Sequence, residues 1–142
     1  MRALELYDFD TVLFPLNWHM NMAHGMGNAV RDAVRRGGQG FLCMKAMIER
    51  AWEDEERYSS KYPKSWCKPF DIDEEPEMLL AAMKYSFSLG ADTLIPPGNF
   101  DHFKFAVEHI DEVLDSPLSE EETEMLRKRL PLVIDFPFMD VV

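Results

Sequence analysis

The chain has 142 residues, 46% of them hydrophobic and 12% aromatic, and a formal net charge of −11 at pH 7. A chain of this length and apolar content can bury a core, so we expect one domain over residues 1–142 rather than a disordered chain. The negative charge repels phosphate backbones and anionic lipids, which disfavours sequence-independent binding to nucleic acids and membranes. It suits a basic protein surface or a metal ion.

The cysteines and the apolar runs indicate the compartment. Cys43 and Cys67 form no CxxC pair, so neither a disulfide framework nor a zinc knuckle is expected. The first residues are followed by an acidic segment rather than a signal peptide, and no apolar run approaches the roughly 18 residues that span a bilayer. The sequence therefore predicts reduced thiols in a cytoplasmic protein that does not enter membranes.

Three elements and a loop are predicted in the N-terminal half. Residues 3–14 form a short apolar segment ended by Pro15, which predicts a buried strand. Apolar residues at helical spacing predict a helix over 18–36, stopped by Gly37 and Gly38. A second helix is expected over 40–58, followed by a loop over 59–70. The apolar face of that second helix would consist of Phe41, Met44, Ile48 and Trp52.

The C-terminal half alternates helices with short strands. We expect a helix between the cap residue Asp73 and Gly90, a strand over 91–95, and a helix capped by Asn99. A capping box of Ser119 and Glu122 predicts a last helix ending near residue 129, and residues 132–136 predict a strand. The residues expected to face inward from the helix after Asn99 are Phe103, Val107, Ile110, Val113 and Leu114.

This order of elements predicts a fold class. Strands separated by helical segments favour a parallel sheet, since a parallel return needs a crossover of about a dozen residues. We therefore expect a helix-rich α/β protein with a small parallel sheet of about three strands and a helical insertion after the first strand. The alternative is a mainly α protein, if the short strands do not form.

Two aspartates follow the apolar N-terminal segment. Asp8 and Asp10 are spaced by two, so at the carboxyl end of the predicted first strand, where ligands of open α/β sheets bind, their side chains would leave the same face. Paired carboxylates repel each other unless a cation stabilises both, and Mg²⁺ accepts one or two carboxylates together with phosphate oxygens. In such a site one aspartate can attack phosphorus while the other transfers protons. The alternative is that both residues belong to a turn or cap.

The segment from Asp8 to Phe14, DFDTVLF, resembles the first motif of the haloacid dehalogenase (HAD)-like phosphatases. The resemblance implies Mg²⁺-dependent phosphoryl hydrolysis through an aspartyl-phosphate, acting on a phosphorylated small molecule or nucleotide. Asp8 would be the nucleophile and Asp10 the general acid/base, with both at the metal. The glycine that usually follows the second aspartate is Thr11 here.

Further positions match later motifs of the same family. The LVIDFPFMD segment resembles the fourth motif, and the resemblance implies that Asp135 and Asp140 complete the Mg²⁺ site. Thr93 would bind the phosphoryl oxygen and Lys128 would neutralise charge, although Thr93 precedes two prolines and Lys128 lies close to Asp135 in sequence. A catalytically degenerate relative would keep the fold and lose the reaction.

Acidic runs support a different class of function. Residues 53–56, 71–77 and 120–122 are rich in carboxylates, which could occupy a basic surface of a protein partner. The alternative hypothesis is therefore a non-catalytic acidic interaction protein, such as an inhibitor or an assembly accessory factor. A third possibility is a helical subunit that uses methionine-rich faces to form oligomers.

Overall fold

The computed structural model of the chain describes residues 2–53 and 55–132. Its strands are β1 (Thr11–Pro15), β2 (Gly40–Met44), β3 (Ile48–Arg50), β4 (Lys68–Pro69) and β5 (Thr93–Ile95). Its helices are α1 (Arg2–Leu6), α2 (Trp18–His24), α3 (Asn28–Gly37), α4 (Glu56–Ser59), α5 (Pro76–Ser88), α6 (Phe100–Asp115) and α7 (Glu120–Arg129), and a 3-10 turn covers Leu130–Leu132.

Three strands form a parallel sheet in the order β1-β2-β5. Thr11 pairs with Gly40, and Leu42 pairs with Thr93, so β2 is the central strand. The helices α2 and α3 form the crossover from β1 to β2, and β3 pairs with β4 in a separate antiparallel ribbon. The prediction of a helix-rich α/β fold with a small parallel sheet and helices after the first strand is confirmed.

The prediction of one strand over residues 3–14 is wrong. Residues Arg2–Leu6 form α1, and β1 begins at Thr11, after both aspartates of the DFD segment. A short apolar run fits either a buried helix face or a strand, so periodicity alone could not separate the two. Pairing decides the outcome, because the Gly40 amide donates to the Asp10 carbonyl (2.9 Å) and opens the β1–β2 ladder.

The prediction of a helix over residues 40–58 is also wrong. Phe41 and Cys43 are buried, whereas the residues on either side of each are only partly buried. This alternation is typical of a strand rather than a helix. The Phe41–Met44–Ile48 spacing fits a helix equally well, which is why the sequence pattern predicted a helix. β2 forms because it can pair on both sides, with β1 and with β5.

The predicted helix over residues 18–36 divides into two. Gly25 and Gly27 have φ of +64° and +90°, which ends α2 and starts α3 in a new direction. A left-handed residue cannot continue a right-handed helix, and glycine adopts that conformation without the penalty a Cβ brings.

The three longer helices of the C-terminal half are confirmed. Asn99 caps α6 by accepting from the His102 amide (3.0 Å), and Ser119 and Glu122 form the capping box of α7. For α5 the predicted cap is wrong: Glu75 stands at the cap position, and the Asp71 carboxylate instead accepts from the amides of Asp73 and Glu74.

Two apolar clusters form the core. The larger contains Trp18, Phe70, Met83, Phe105 and Leu126 and lies between α2, α5, α6 and α7. The smaller contains Leu16, Val34, Phe41 and Cys43 and lies between α3 and the sheet. The segment 16–18, which leads from β1 into the first residue of α2, therefore supplies a residue to each cluster.

Asn17 lies between those two core residues and is itself fully buried. Its side-chain oxygen accepts from the amides of His19 (2.8 Å) and Met20 (3.3 Å), which caps α2. Its amide group donates to the carbonyls of Lys45 (2.9 Å) and Ile48 (2.9 Å), on the turn between β2 and β3. One side chain therefore joins the end of β1, the start of α2 and the end of β2.

We predict that Asn17→Asp destabilises the protein at least as much as Asn17→Ala, although Asp is normally an excellent cap. Ala removes the cap and two buried hydrogen bonds, at a cost of about 2–3 kcal/mol. Asp keeps the cap but points a carboxylate at two carbonyl oxygens, which adds electrostatic repulsion in a buried site. Urea unfolding at neutral pH measures both. A variant Asn17→Asp as stable as the wild type would contradict this account.

Candidate functional site

The aspartates of the DFD segment lie at the amino end of β1. Asp8 and Asp10 are both exposed, and the prediction that they stand at the carboxyl end of the first strand is wrong. Thr93 is exposed at the start of β5, and Lys128 is exposed on α7, which packs against α2 and α5. Ligands of open parallel sheets bind at the opposite edge, outside the carboxyl ends of the strands.

Asp135 and Asp140 lie outside the described residues. Within residues 2–53 and 55–132, no three His, Cys, Asp or Glu side chains come together in a way that could hold a metal ion. The predicted Mg²⁺ site also includes Asp135 and Asp140, so only its Asp8 and Asp10 half falls within the described residues. The roles assigned to these residues and to Thr93 and Lys128 stay predictions.

If Asp8 is a phosphoryl nucleophile, Asp8→Asn should abolish Mg²⁺-dependent hydrolysis of p-nitrophenyl phosphate, because an amide cannot form the aspartyl-phosphate. The matched control is Asp32→Asn, an exposed aspartate on α3 that pairs with Arg31 and should keep full activity. Wild-type protein without any Mg²⁺-dependent turnover would contradict the enzymatic hypothesis.

A row of exposed apolar side chains runs along the outer face of α6. Phe100 is 73% exposed, Phe103 53%, Val107 58% and Leu114 58%, and Ile110 is partly exposed. These five residues follow one another at spacings of three and four, the spacing of the a and d positions of a coiled coil. We call them the α6 stripe. It is an apolar seam along the whole helix, and none of the described residues, 2–53 and 55–132, covers it.

Carboxylates border the stripe on one side. Asp101, Glu108, Asp111, Glu112 and Asp115 are all exposed, and helical spacing places Glu108, Asp111 and Asp115 next to the stripe. One lysine, Lys104, stands among them, 3.6 Å from the nearest carboxylate oxygen of Glu108. The helix therefore presents an apolar seam beside a strongly negative border.

The opposite face of α6 is anchored in the core. Phe105, Ala106 and Val113 belong to the larger apolar cluster, and His102 is fully buried. The His102 ring contacts the Phe70 carbonyl through Nε2 (2.8 Å) and the Asn99 side-chain oxygen through Nδ1 (2.8 Å). Burial lowers the pKa of His102, against smaller opposing effects of the Phe70 carbonyl and two aspartates. These contacts decide which face of the helix remains outside.

The inward face of this helix was predicted incorrectly. Val113 is buried as expected, but Phe103, Val107 and Leu114 are exposed and Ile110 is only partly buried. The helix carries two apolar rows, and the prediction chose the row that matches a heptad. The buried row could have been recognised in the sequence, because its residues also recur at helical spacing. They are His102, Phe105, Ala106, His109 and Val113.

Other acidic runs are partly used inside the molecule. Burial acts to raise the pKa of Glu56, but hydrogen bonds from Arg50 and Lys68 outweigh it and lower that pKa to about 2. Glu122 pairs with the buried Lys84 (2.7 Å) as well as closing the capping box. Both carboxylates therefore stabilise the fold, whereas the border of the α6 stripe faces solvent.

No family model, curated protein or solved structure matches the chain. Among the described helices, none is both long enough and apolar enough to cross a membrane. The geometry of the described side chains is therefore the basis on which a function can be inferred.

Two phenylalanines on α6 test whether the stripe lies outside the core. Phe103→Ala should change the free energy of unfolding by no more than about 0.5 kcal/mol, because the side chain is exposed and alanine favours helix. Phe105→Ala, two residues away, should cost about 3–5 kcal/mol because it opens a cavity in the core. Urea unfolding compares them. A loss of several kcal/mol in Phe103→Ala would show that the stripe is packed against this chain.

Proposed function

We propose that the protein is a non-catalytic interaction domain that binds a basic amphipathic helix of a partner protein along α6. The observation that carries the proposal is the α6 stripe, an exposed apolar seam with a carboxylate border. Isolated apolar residues are common on protein surfaces, but a continuous apolar row on one helix is typical of an interaction site.

The spacing of the stripe favours a helical partner. Its residues recur at alternating intervals of three and four, which allows side chains of a second helix to pack between them at a shallow crossing angle. α6 has 16 residues, so at about 1.5 Å per residue the seam is about 24 Å long. A partner helix of four to five turns would cover it.

The border of the stripe favours a basic partner. The exposed carboxylates Glu108, Asp111 and Asp115 and a single lysine lie beside the seam, in a protein whose overall charge is −11. Positive side chains flanking the apolar seam of the partner would meet these carboxylates and accelerate association. A second copy of α6 would bring the same negative border against itself, which disfavours self-association through this face. The same charge repels nucleic acids.

The test is binding of a designed helical peptide with leucine at a and d positions and lysine at the flanking positions, followed by fluorescence anisotropy. We expect binding that weakens as salt rises, because the border is exposed to screening. Phe103→Ser and Val107→Ser should each lower affinity by at least about tenfold, as central apolar contacts of an interface do. Glu108→Lys together with Asp111→Lys should weaken binding and reduce its salt dependence.

Three controls separate the proposed mode from general attraction between opposite charges. A peptide with the same lysines and leucines in scrambled order should bind at least about tenfold more weakly, and a peptide with glutamate in place of lysine should not bind. Glu5→Lys, which reverses an exposed charge on α1, should leave affinity unchanged. Equal binding of the scrambled peptide, or full affinity in Val107→Ser, would refute the proposal. A stable dimer of the protein that Val107→Ser dissociates would also refute it, because the stripe would then bind a second copy of the chain.

A further inference from the structure

Lys45 and Cys67 meet at the carboxyl edge of the parallel sheet. Lys45 directly follows β2, and its ammonium group donates to the Cys67 sulfur over 3.0 Å. The two residues are 22 apart in sequence, so the contact is a product of the tertiary fold. This edge of an open parallel sheet is where ligands characteristically bind.

The backbone holds Lys45 in an unusual conformation. Its φ of +69° is the only positive value of a non-glycine residue among those described. A lysine rarely adopts this left-handed conformation. Non-glycine residues that other contacts hold in it are found most often at functional sites. Here the side-chain amide of Asn17 and the backbone amide of Ile48 both donate to the Lys45 carbonyl, at 2.9 Å and 3.1 Å. These bonds hold the backbone of the turn, and from it the lysine side chain reaches the Cys67 sulfur.

A cavity gives small molecules access to the pair. It has a volume of about 240 Å³ and is lined by Lys45, Cys67, Lys64, the exposed Trp66, and residues 95–98 after β5. A water molecule occupies about 30 Å³ in the liquid, so the cavity admits a molecule the size of hydrogen peroxide. Cys67 itself is only 3% exposed, which leaves the cavity as its route to solvent.

The second cysteine provides a contrast within the same chain. Cys43 is fully buried on β2, where its sulfur donates to the Leu16 carbonyl. Burial raises the pKa of Cys43 to about 11, against smaller opposing effects of hydrogen bonds with Ser86 and Leu16. The nucleophile in cysteine chemistry is the thiolate, so Cys43 is held in its unreactive form.

We propose that Lys45 and Cys67 form a modification site, at which hydrogen peroxide converts the pair into a covalent sulfur–nitrogen crosslink. In the first step the Cys67 thiolate attacks one peroxide oxygen. An S–O bond forms, the O–O bond breaks, and the departing hydroxide takes a proton from the Lys45 ammonium to become water. The products are a sulfenic acid on Cys67 and a neutral amine on Lys45.

In the second step the Lys45 amine attacks the sulfenic sulfur. An N–S bond forms and the S–O bond breaks, and the departing hydroxide takes a proton from the nitrogen and leaves as a second water. Sulfenic acids are known to condense with nitrogen in this way, and 3.0 Å is within the distance of a near-attack arrangement. Counted from the thiolate and ammonium, the pair loses two hydrogens while peroxide is reduced to two waters.

The experiment treats the native full-length protein with hydrogen peroxide and measures intact mass, followed by peptide mapping with a protease that does not cleave at lysine. We expect a loss of two hydrogens and a peptide pair joined through Lys45 and Cys67. A thiol reductant should reverse both, because a thiolate attacks the Cys67 sulfur and releases the amine. Treatment in urea should abolish the crosslink, since unfolding separates the two residues.

Matched variants identify the atoms involved. Lys45→Arg keeps the positive charge without a nucleophilic amine and should reduce the crosslinked fraction at least about tenfold, and Cys67→Ser should abolish it. Lys64→Arg, in the same cavity, and Cys43→Ser should leave it unchanged. Oxidation of Cys67 that stops at sulfinic acid, a crosslink that persists in Lys45→Arg, or faster oxidation of Cys43 than of Cys67 would each overturn the proposal.

Discussion

The four hydrogen bonds of the buried Asn17 side chain are the constraint on which the rest of the structure depends. They join the start of α2 to the turn after β2, which brings two distant segments together at the carboxyl edge of the sheet. Trp18 strengthens the same link, because its indole N–H also donates to the Ile48 carbonyl (3.0 Å). A buried amide with all its partners in place specifies one arrangement, since any alternative leaves polar groups without partners in a dry site.

The hydrogen bonds of Asn17 and Trp18 are connected, through Phe70, to the position of α6. Trp18 contacts Phe70 in the larger cluster, and the Phe70 carbonyl binds His102 of α6. The start of α6 is further held by Asn99, whose amide donates to the Ser65 hydroxyl (2.9 Å). One side of α6 thereby packs in the core, and the heptad row on another side is exposed.

The proposed interface and the proposed modification site lie close together along the chain. Residues 95–98 line the cavity around Lys45 and Cys67, and they lead directly into the cap of α6. Ser65, which binds that cap, is two residues before Cys67. The two proposed sites nevertheless take different molecules, a basic helix along the acidic border and a small neutral oxidant in the cavity beside Lys45 and Cys67.

Much of this protein was determined by its sequence, because the relevant interactions are local. The caps at Asn99 and Ser119 and the three longer helices that follow residue 75 depend on neighbouring residues, and the structure confirms them. The predicted strand before Pro96 and the α/β class are confirmed as well, although the sheet forms through pairing between distant strands. The tertiary structure decided the rest. Residues 40–44 fit a helix or a strand by spacing and became β2 only through pairing with β1 and β5. α6 carries two apolar rows, and only the position of Phe70 and its neighbours decided which row is buried. The meeting of Lys45 with Cys67, across 22 residues, follows from no periodicity at all, because sequence spacing constrains only residues within a few turns of one another.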